Sequence, residues 1–168
     1  MADPRRLRRI RLWLILFAAG LLLSGITAIP LLWEIDLLRR VFVDDALGIA
    51  PAIPGLAEWI GAVHRGLTET YRAYQFLAYG TDWLAFAHIV IAIAFIGPIR
   101  DPRRNVWVIE FGMIACALVM PMALIAGPIR GIPVGWRLLD CAFGLLGFVP
   151  LWLARRATLQ LAAPAGGS

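Results

Sequence analysis

"VWVIEFGMIACALVMPMALIAG" occupies residues 106–127, and Glu110 is the one charged side chain in those 22 positions. At about 1.5 Å per helical residue the stretch reaches ~33 Å, against a hydrocarbon core of about 30 Å. An unpaired peptide group in lipid costs several kcal/mol, so such a run must keep its backbone hydrogen bonds internal and fold as a helix. Three further apolar blocks read the same way, at residues 12–32, 81–97 and 138–154. The last two are 17 residues long and borrow flanking aromatics, Tyr79 and Trp136, which gives spans of about 78–97 and 137–154. The whole chain of 168 residues is 61% hydrophobic and 16% charged, where a soluble domain carries about 25% charged residues. The expected fold is an all-α membrane protein. It is a bundle of four transmembrane helices with an amphipathic extracytoplasmic helical segment between the first and second spans.

That outer segment, residues 33–77, contains a turn-rich connector, "DDALGIAPAIPG" at 44–55, and then a helical pattern. Leu56, Ile60, Val63, Leu67, Tyr71 and Tyr74 recur on one face, while Glu58, Arg65, Glu69 and Arg72 take the other. Fewer than fifty residues build a poor independent core, so the chain is expected to be one integral membrane domain, 1–168.

All sixteen basic residues are arginine, which fits a GC-rich bacterial genome. Ten of them fall at three places: Arg5, Arg6, Arg8, Arg9 and Arg11; Arg100, Arg103 and Arg104; and Arg155 and Arg156. Those places share one side of a four-span topology, and the positive-inside rule makes that side cytoplasmic. The expectation is a multi-pass protein of the bacterial inner membrane with both termini in the cytoplasm. The first apolar run exceeds the 7–15 residues of a signal-peptide core, so it reads as a retained anchor. The net charge of +5 is explained by these arginines without any nucleic-acid partner.

His88 is the first candidate for chemistry. It shares a face of the second span with Thr81, Ala85 and Ala92, a small-residue face that turns it toward neighbouring helices. One reading makes His88 a proton-handling group, working with Glu110 or Asp140 as acid and base. The other makes it an interhelical hydrogen bond. Asn105 is the natural cap for the third span, which leaves Glu110 free to pair with an inner-loop arginine. Asp140 shares a face of the fourth span with Gly144, Gly147 and Leu151. At the outer membrane level Glu34, Asp82, Trp83, Arg130 and Arg137 are candidate ligand-binding residues. The competing reading there is an interfacial aromatic belt with ordinary ion pairs.

Cofactor and metal signals are weak. Haem would need a partner for His88, and His64 lies outside the spans, with Met113, Met120 and Met122 as the remaining donors. No cofactor or metal is expected. Cys116 and Cys141 lie in different spans without a metal-ligand spacing and read as buried thiols. Gly20, Ser24 and Ala28 form a small-residue seam on the first span. Gly-Pro-Ile-Arg recurs at 97–100 and 127–130, each copy closing a span, and Pro121 and Pro150 are expected to kink the third and fourth.

The residues lean away from catalysis without excluding it. The leading expectation is a small inner-membrane protein that binds a partner membrane protein, a second copy of itself or a lipophilic small molecule. One alternative is an intramembrane enzyme acting on a lipid or isoprenoid through His88 with Glu110 or Asp140. The other is a small oligomeric proton-coupled transporter.

Overall fold

A computed structural model of the chain describes residues 4–44 and 55–162, and all regular structure among them is helical. The helices are α1 (Pro4–Ala28), α2 (Leu31–Phe42), α3 (Leu56–Ala73), α4 (Tyr79–Ala94), α5 (Ile96–Arg100), α6 (Val106–Ile129) and α7 (Val134–Ala162), with a 3₁₀ turn at Gln75–Ala78. Four stretches are long and apolar enough to cross a membrane: Pro4–Ala28, Gln75–Arg100, Val106–Ile129 and Val134–Leu161. Only 17–22% of each apolar window is buried within the chain. Side chains such as Leu16 (57% exposed) and Leu146 (70% exposed) therefore point outward, a pattern that suits lipid and not water. The connector expected at 44–55 falls almost wholly on residues 45–54, outside the described residues.

The helices outrun the apolar blocks. α1 begins at Pro4, where a missing N–H costs nothing in the first turn, so its five arginines ride on the helix. α7 continues past Arg155 and Arg156 to Ala162, because "RRATLQLA" contains no glycine or proline to stop it. Hydropathy measures the buried length of a helix and not its end. Both Gly-Pro-Ile-Arg copies close a span as expected, at Arg100 and Ile129, although the helix runs a residue or two past each proline. Pro98 is the third residue of α5, a position whose N–H has no intrahelical partner. Pro128 lies within α6, as does Pro121, and Pro150 lies within α7.

The cap on α6 is built at Gly131, at φ +70°. Ile132 donates to the Gly127 carbonyl at 2.9 Å and Gly131 to the Pro128 carbonyl at 3.1 Å. These two bonds close a Schellman cap on α6, and only glycine takes this backbone without strain. Pro133 then starts α7, accepting from the N–H groups of Trp136 and Arg137.

The chain divides into two compact units, residues 1–21 with 91–168, and residues 22–90. In the first unit the core joins Ile10 and Leu14 of α1, Phe95, Val108, Ile109 and Cys116 of α6, and Leu151 and Ala154 of α7. Phe95 sits between α4 and α5, fully buried, with its ring 4.7 Å from that of Phe17. α6 and α7 run antiparallel, and glycines set their separation. A Cβ on Gly112 would lie 2.8 Å from both Leu151 and Phe95; one on Gly144 would lie 2.8 Å from the Cys116 carbonyl; one on Gly147 would lie 2.8 Å from the Cys116 sulfur. Helices in lipid gain no hydrophobic drive from one another and depend on such close van der Waals contact.

In the second unit α2 and α3 pack through Ile35 and Ile60, which are 5% and 1% exposed. Glu58, Arg65, Glu69 and Arg72 on α3 are exposed, and Tyr74 lies just beyond the helix end. The close-approach glycine of α1 is Gly25, whose Cβ would stand 2.8 Å from that of His88 and 3.0 Å from the Ala85 carbonyl. Gly20, from the seam read in the sequence, meets nothing within 4 Å.

Gly144→Val should drive a side chain into the Cys116 backbone and cost about 1–3 kcal/mol, the range for overpacking. Gly20→Ala should be neutral or slightly stabilising, since the helix gains alanine's propensity at an open site. Thermal unfolding of both variants in mild detergent checks the contrast.

Candidate functional site

Each candidate residue has a definite place. The His88 ring is half-buried, and its Nδ1 lies 2.8 Å from the Leu84 carbonyl, four residues back on the same helix. A carbonyl only accepts, so Nδ1 donates, and in the neutral ring Nε2 is left as the acceptor. The hydrogen bond expected to join helices is made within one.

Glu110, in the second turn of α6, accepts from Nε of Arg155 on α7 at 2.8 Å. Its partner is thus an arginine of the last span and not of the inner loop. This bond also fixes the place of Asp140, fifteen residues before Arg155 on α7. At 1.5 Å per residue Asp140 stands about 22 Å from the ion pair, so Glu110 and Asp140 do not work on one substrate atom. Asn105 is the N-terminal neighbour of α6 but makes no side-chain cap to it. Its amide turns back instead, donating to the carbonyls of Gly97 at 3.2 Å and Asp101 at 2.9 Å. The orphan carbonyls closing α5 compete for that donor, and Gly97 lacks the Cβ that would crowd it.

The first unit gathers arginines at one end. Arg11 of α1 donates to the carbonyls of Ile99 and Arg100 at 3.0 and 3.2 Å, which brings the start of α1 level with the α5–α6 turn. The Glu110–Arg155 bond brings the latter part of α7 to the same level. Arg156 lies 5.6 Å from the ring of Trp152, a cation–π contact. At the other end Arg130 closes α6, and the methylenes of Arg137 lie against Gly127 while its Nε is buried without a hydrogen-bond partner among the described residues.

In the second unit Asp82 and Trp83, with Tyr79 and Phe86, line a shallow hollow of about 190 Å³ on one face of α4. The rings of Tyr79, Trp83 and Phe86 meet edge to face at 5.9 and 5.5 Å. Glu34 sits in the first turn of α2, where the helix dipole favours an acid. A larger groove, of about 560 Å³, opens beside it. One wall is the α1–α2 turn, from Ile29 to Trp33; the other is the end of α3 and the 3₁₀ turn, with Thr68, Tyr71, Arg72, Gln75 and Ala78.

The groove was missed in the sequence because its walls are forty residues apart in the chain. The usable signals were Pro30, which turns the chain at the end of a span, and the pair Tyr71–Arg72 at the end of an apolar stripe. An ion-pair cluster that was likewise not foreseen sits between α2 and α3. Asp36 accepts from Arg40, lies 3.6 Å from Arg39 and 3.6 Å from Nε2 of His64, and Arg39 also holds Asp44 at 2.9 Å. The hydrogen bond from Arg40, helped by the charges of Arg40, Arg39 and His64 and opposed by desolvation, holds the Asp36 carboxyl below the usual carboxylate range. Among the described residues no group of three histidine, cysteine or acidic side chains is placed to hold a metal, and Cys116 and Cys141 are free thiols.

No protein-family model matches the chain, nor does any curated protein or solved structure. Its function is therefore read from these sites alone.

Replacing Glu110 by Gln and Arg155 by Gln, singly and together, should show a coupling of about 1 kcal/mol in a double-mutant cycle. Chemical denaturation in detergent measures it. Asp36 yields a pH prediction. A carboxylate whose folded pKa is depressed stabilises the fold fully above its unfolded value of about 3.9 and loses that contribution as pH falls through the folded value. The stability advantage of wild type over Asp36→Asn should thus be constant above about pH 5 and shrink below pH 4. Circular-dichroism melts across that range check the sign.

Proposed function

We propose that this is a small multi-pass protein of the bacterial inner membrane that binds a lipophilic small molecule in the groove between the α1–α2 turn and the end of α3. Both termini lie in the cytoplasm. The ten arginines at the start of α1, around the α5–α6 turn and near the end of α7 belong to that side, and α2 and α3 form an amphipathic segment on the outer face.

The groove carries this reading. Its volume falls within the roughly 300–1,000 Å³ of small-molecule sites, and its lining combines aliphatic and aromatic surface with a few polar tips. It also lies where two crossings meet the interface, directly after the last residue of α1 and at the first residues of the Gln75–Arg100 crossing. Trp33 and Tyr71 at its rim suit that level. Catalysis by His88 with Glu110 or Asp140 has less support, because the histidine is tied to its own helix and Glu110 to Arg155.

Native mass spectrometry of the purified protein, released from mild detergent, tests the proposal. A stoichiometric lipophilic adduct is expected in wild type and in His88→Ala, and its loss in the Trp33→Ala/Tyr71→Ala double variant. An adduct unaffected by the double variant would place the ligand elsewhere, and its absence in every sample would remove the binding reading.

A further inference from the structure

Arg72 is the one charged side chain that lines the groove, and among the described residues it forms no ion pair. Of the second unit's other cations, Arg39 and Arg40 hold Asp36 and Asp44 and His64 faces Asp36, while Arg65 does not line the groove. Arg72 lies in the last turn of α3, where the helix dipole favours a cation. The groove thus presents a positive charge with no counter-charge from the described residues. Beside it stand two further donors, the Tyr71 hydroxyl and the Gln75 amide, one residue before and three after it. Opposite this polar corner the wall is apolar, made by Ile29, Leu31 and Leu32.

Polar corner and apolar wall face one another at a membrane boundary, and they divide a ligand into head and tail. A guanidinium matches carboxylate and phosphate oxygens with two parallel donors. The apolar wall is short, running only from Ile29 to Leu32, which suits one chain. Resting on the groove reading above, we infer that the occupant is a single-chain amphiphile with an anionic head. Arg72, assisted by Tyr71 and Gln75, takes the carboxylate or phosphate, and the tail lies along Ile29, Leu31 and Leu32. A neutral lipophile would make no use of the Arg72 charge, and a cationic one would be repelled.

Trp33 at the rim supplies the readout. Full-length protein in nanodiscs of zwitterionic lipid is titrated with a bromine-labelled octadecanoate, with the matching octadecyl phosphate and with the methyl ester of the acid. Quenching of tryptophan emission that disappears in Trp33→Phe reports occupancy of the groove. Both anions should quench saturably, and the ester should bind at least roughly tenfold more weakly, the loss expected for a charge-assisted hydrogen bond. Arg72→Gln should erase the difference between acid and ester, and Arg72→Lys should retain part of it. Preference for one of the two anions identifies the head group while upholding the inference. Equal binding of acid and ester, with no effect of Arg72→Gln, would overturn the anionic head and leave the lipophile groove standing. Displacement of the acid by an equal amount of two-chain phosphatidylglycerol would overturn the single-chain claim. Absence of Trp33-dependent quenching by any probe would overturn this inference and the groove reading together.

Discussion

The contact of Gly144 with the Cys116 carbonyl shows the constraint on which the first unit depends. A bilayer supplies no hydrophobic reward for bringing two apolar helices together, because lipid tails solvate leucine as well as another helix does. What remains is van der Waals contact, which requires backbones to approach within reach of one another. Gly112, Gly144 and Gly147 permit that approach, and each missing Cβ is filled by a specific neighbour: Leu151 with Phe95, the Cys116 carbonyl, and the Cys116 sulfur. The register they fix also carries Arg155 to Glu110 and the Arg137 methylenes to Gly127, so the contacts at both ends of the hairpin follow from the glycine packing between them.

The four helices long and apolar enough to cross a membrane were legible in the sequence because lipid imposes one dominant rule on the backbone, and apolar length reports it. Helix ends were less legible. Pro98 and Pro128 mark where two spans close, yet each helix runs on a residue or two past its proline, and the cap on α6 depends on a left-handed φ at Gly131 that hydropathy does not sense. Close contact is decided by which face a neighbour covers, and within the chain α1 makes it at Gly25, while Gly20 meets nothing within 4 Å. The partners of Glu110, Asp36 and Asn105 were illegible because each is chosen by packing between segments far apart in sequence, and the groove at Trp33 and Tyr71 was hidden for the same reason.

Charge placement connects the fold to the functional reading. In the first unit Arg11 reaches the last carbonyls of α5 and Arg155 holds Glu110, so arginines from three separate segments gather at one level. That is the distribution that orients a membrane protein. In the second unit, Arg39, Arg40 and His64 gather around Asp36 and Asp44 between α2 and α3, and Arg72 is the charged side chain that lines the groove. His88, the residue that first suggests intramembrane chemistry, is held by its own helix and packs its Cβ against Gly25. Its role in the fold is explained by those two contacts.

The central claim is that the arginine-rich end is cytoplasmic and the groove-bearing segment lies on the outer side. Single cysteines at Ala62 on α3 and at Arg103 in the α5–α6 turn, in a chain with Cys116→Ala and Cys141→Ala, test it most directly. A membrane-impermeant maleimide applied to intact cells should label Ala62→Cys at once and Arg103→Cys only after the membrane is opened. Labelling of Arg103→Cys in intact cells, with Ala62→Cys protected, would contradict the account.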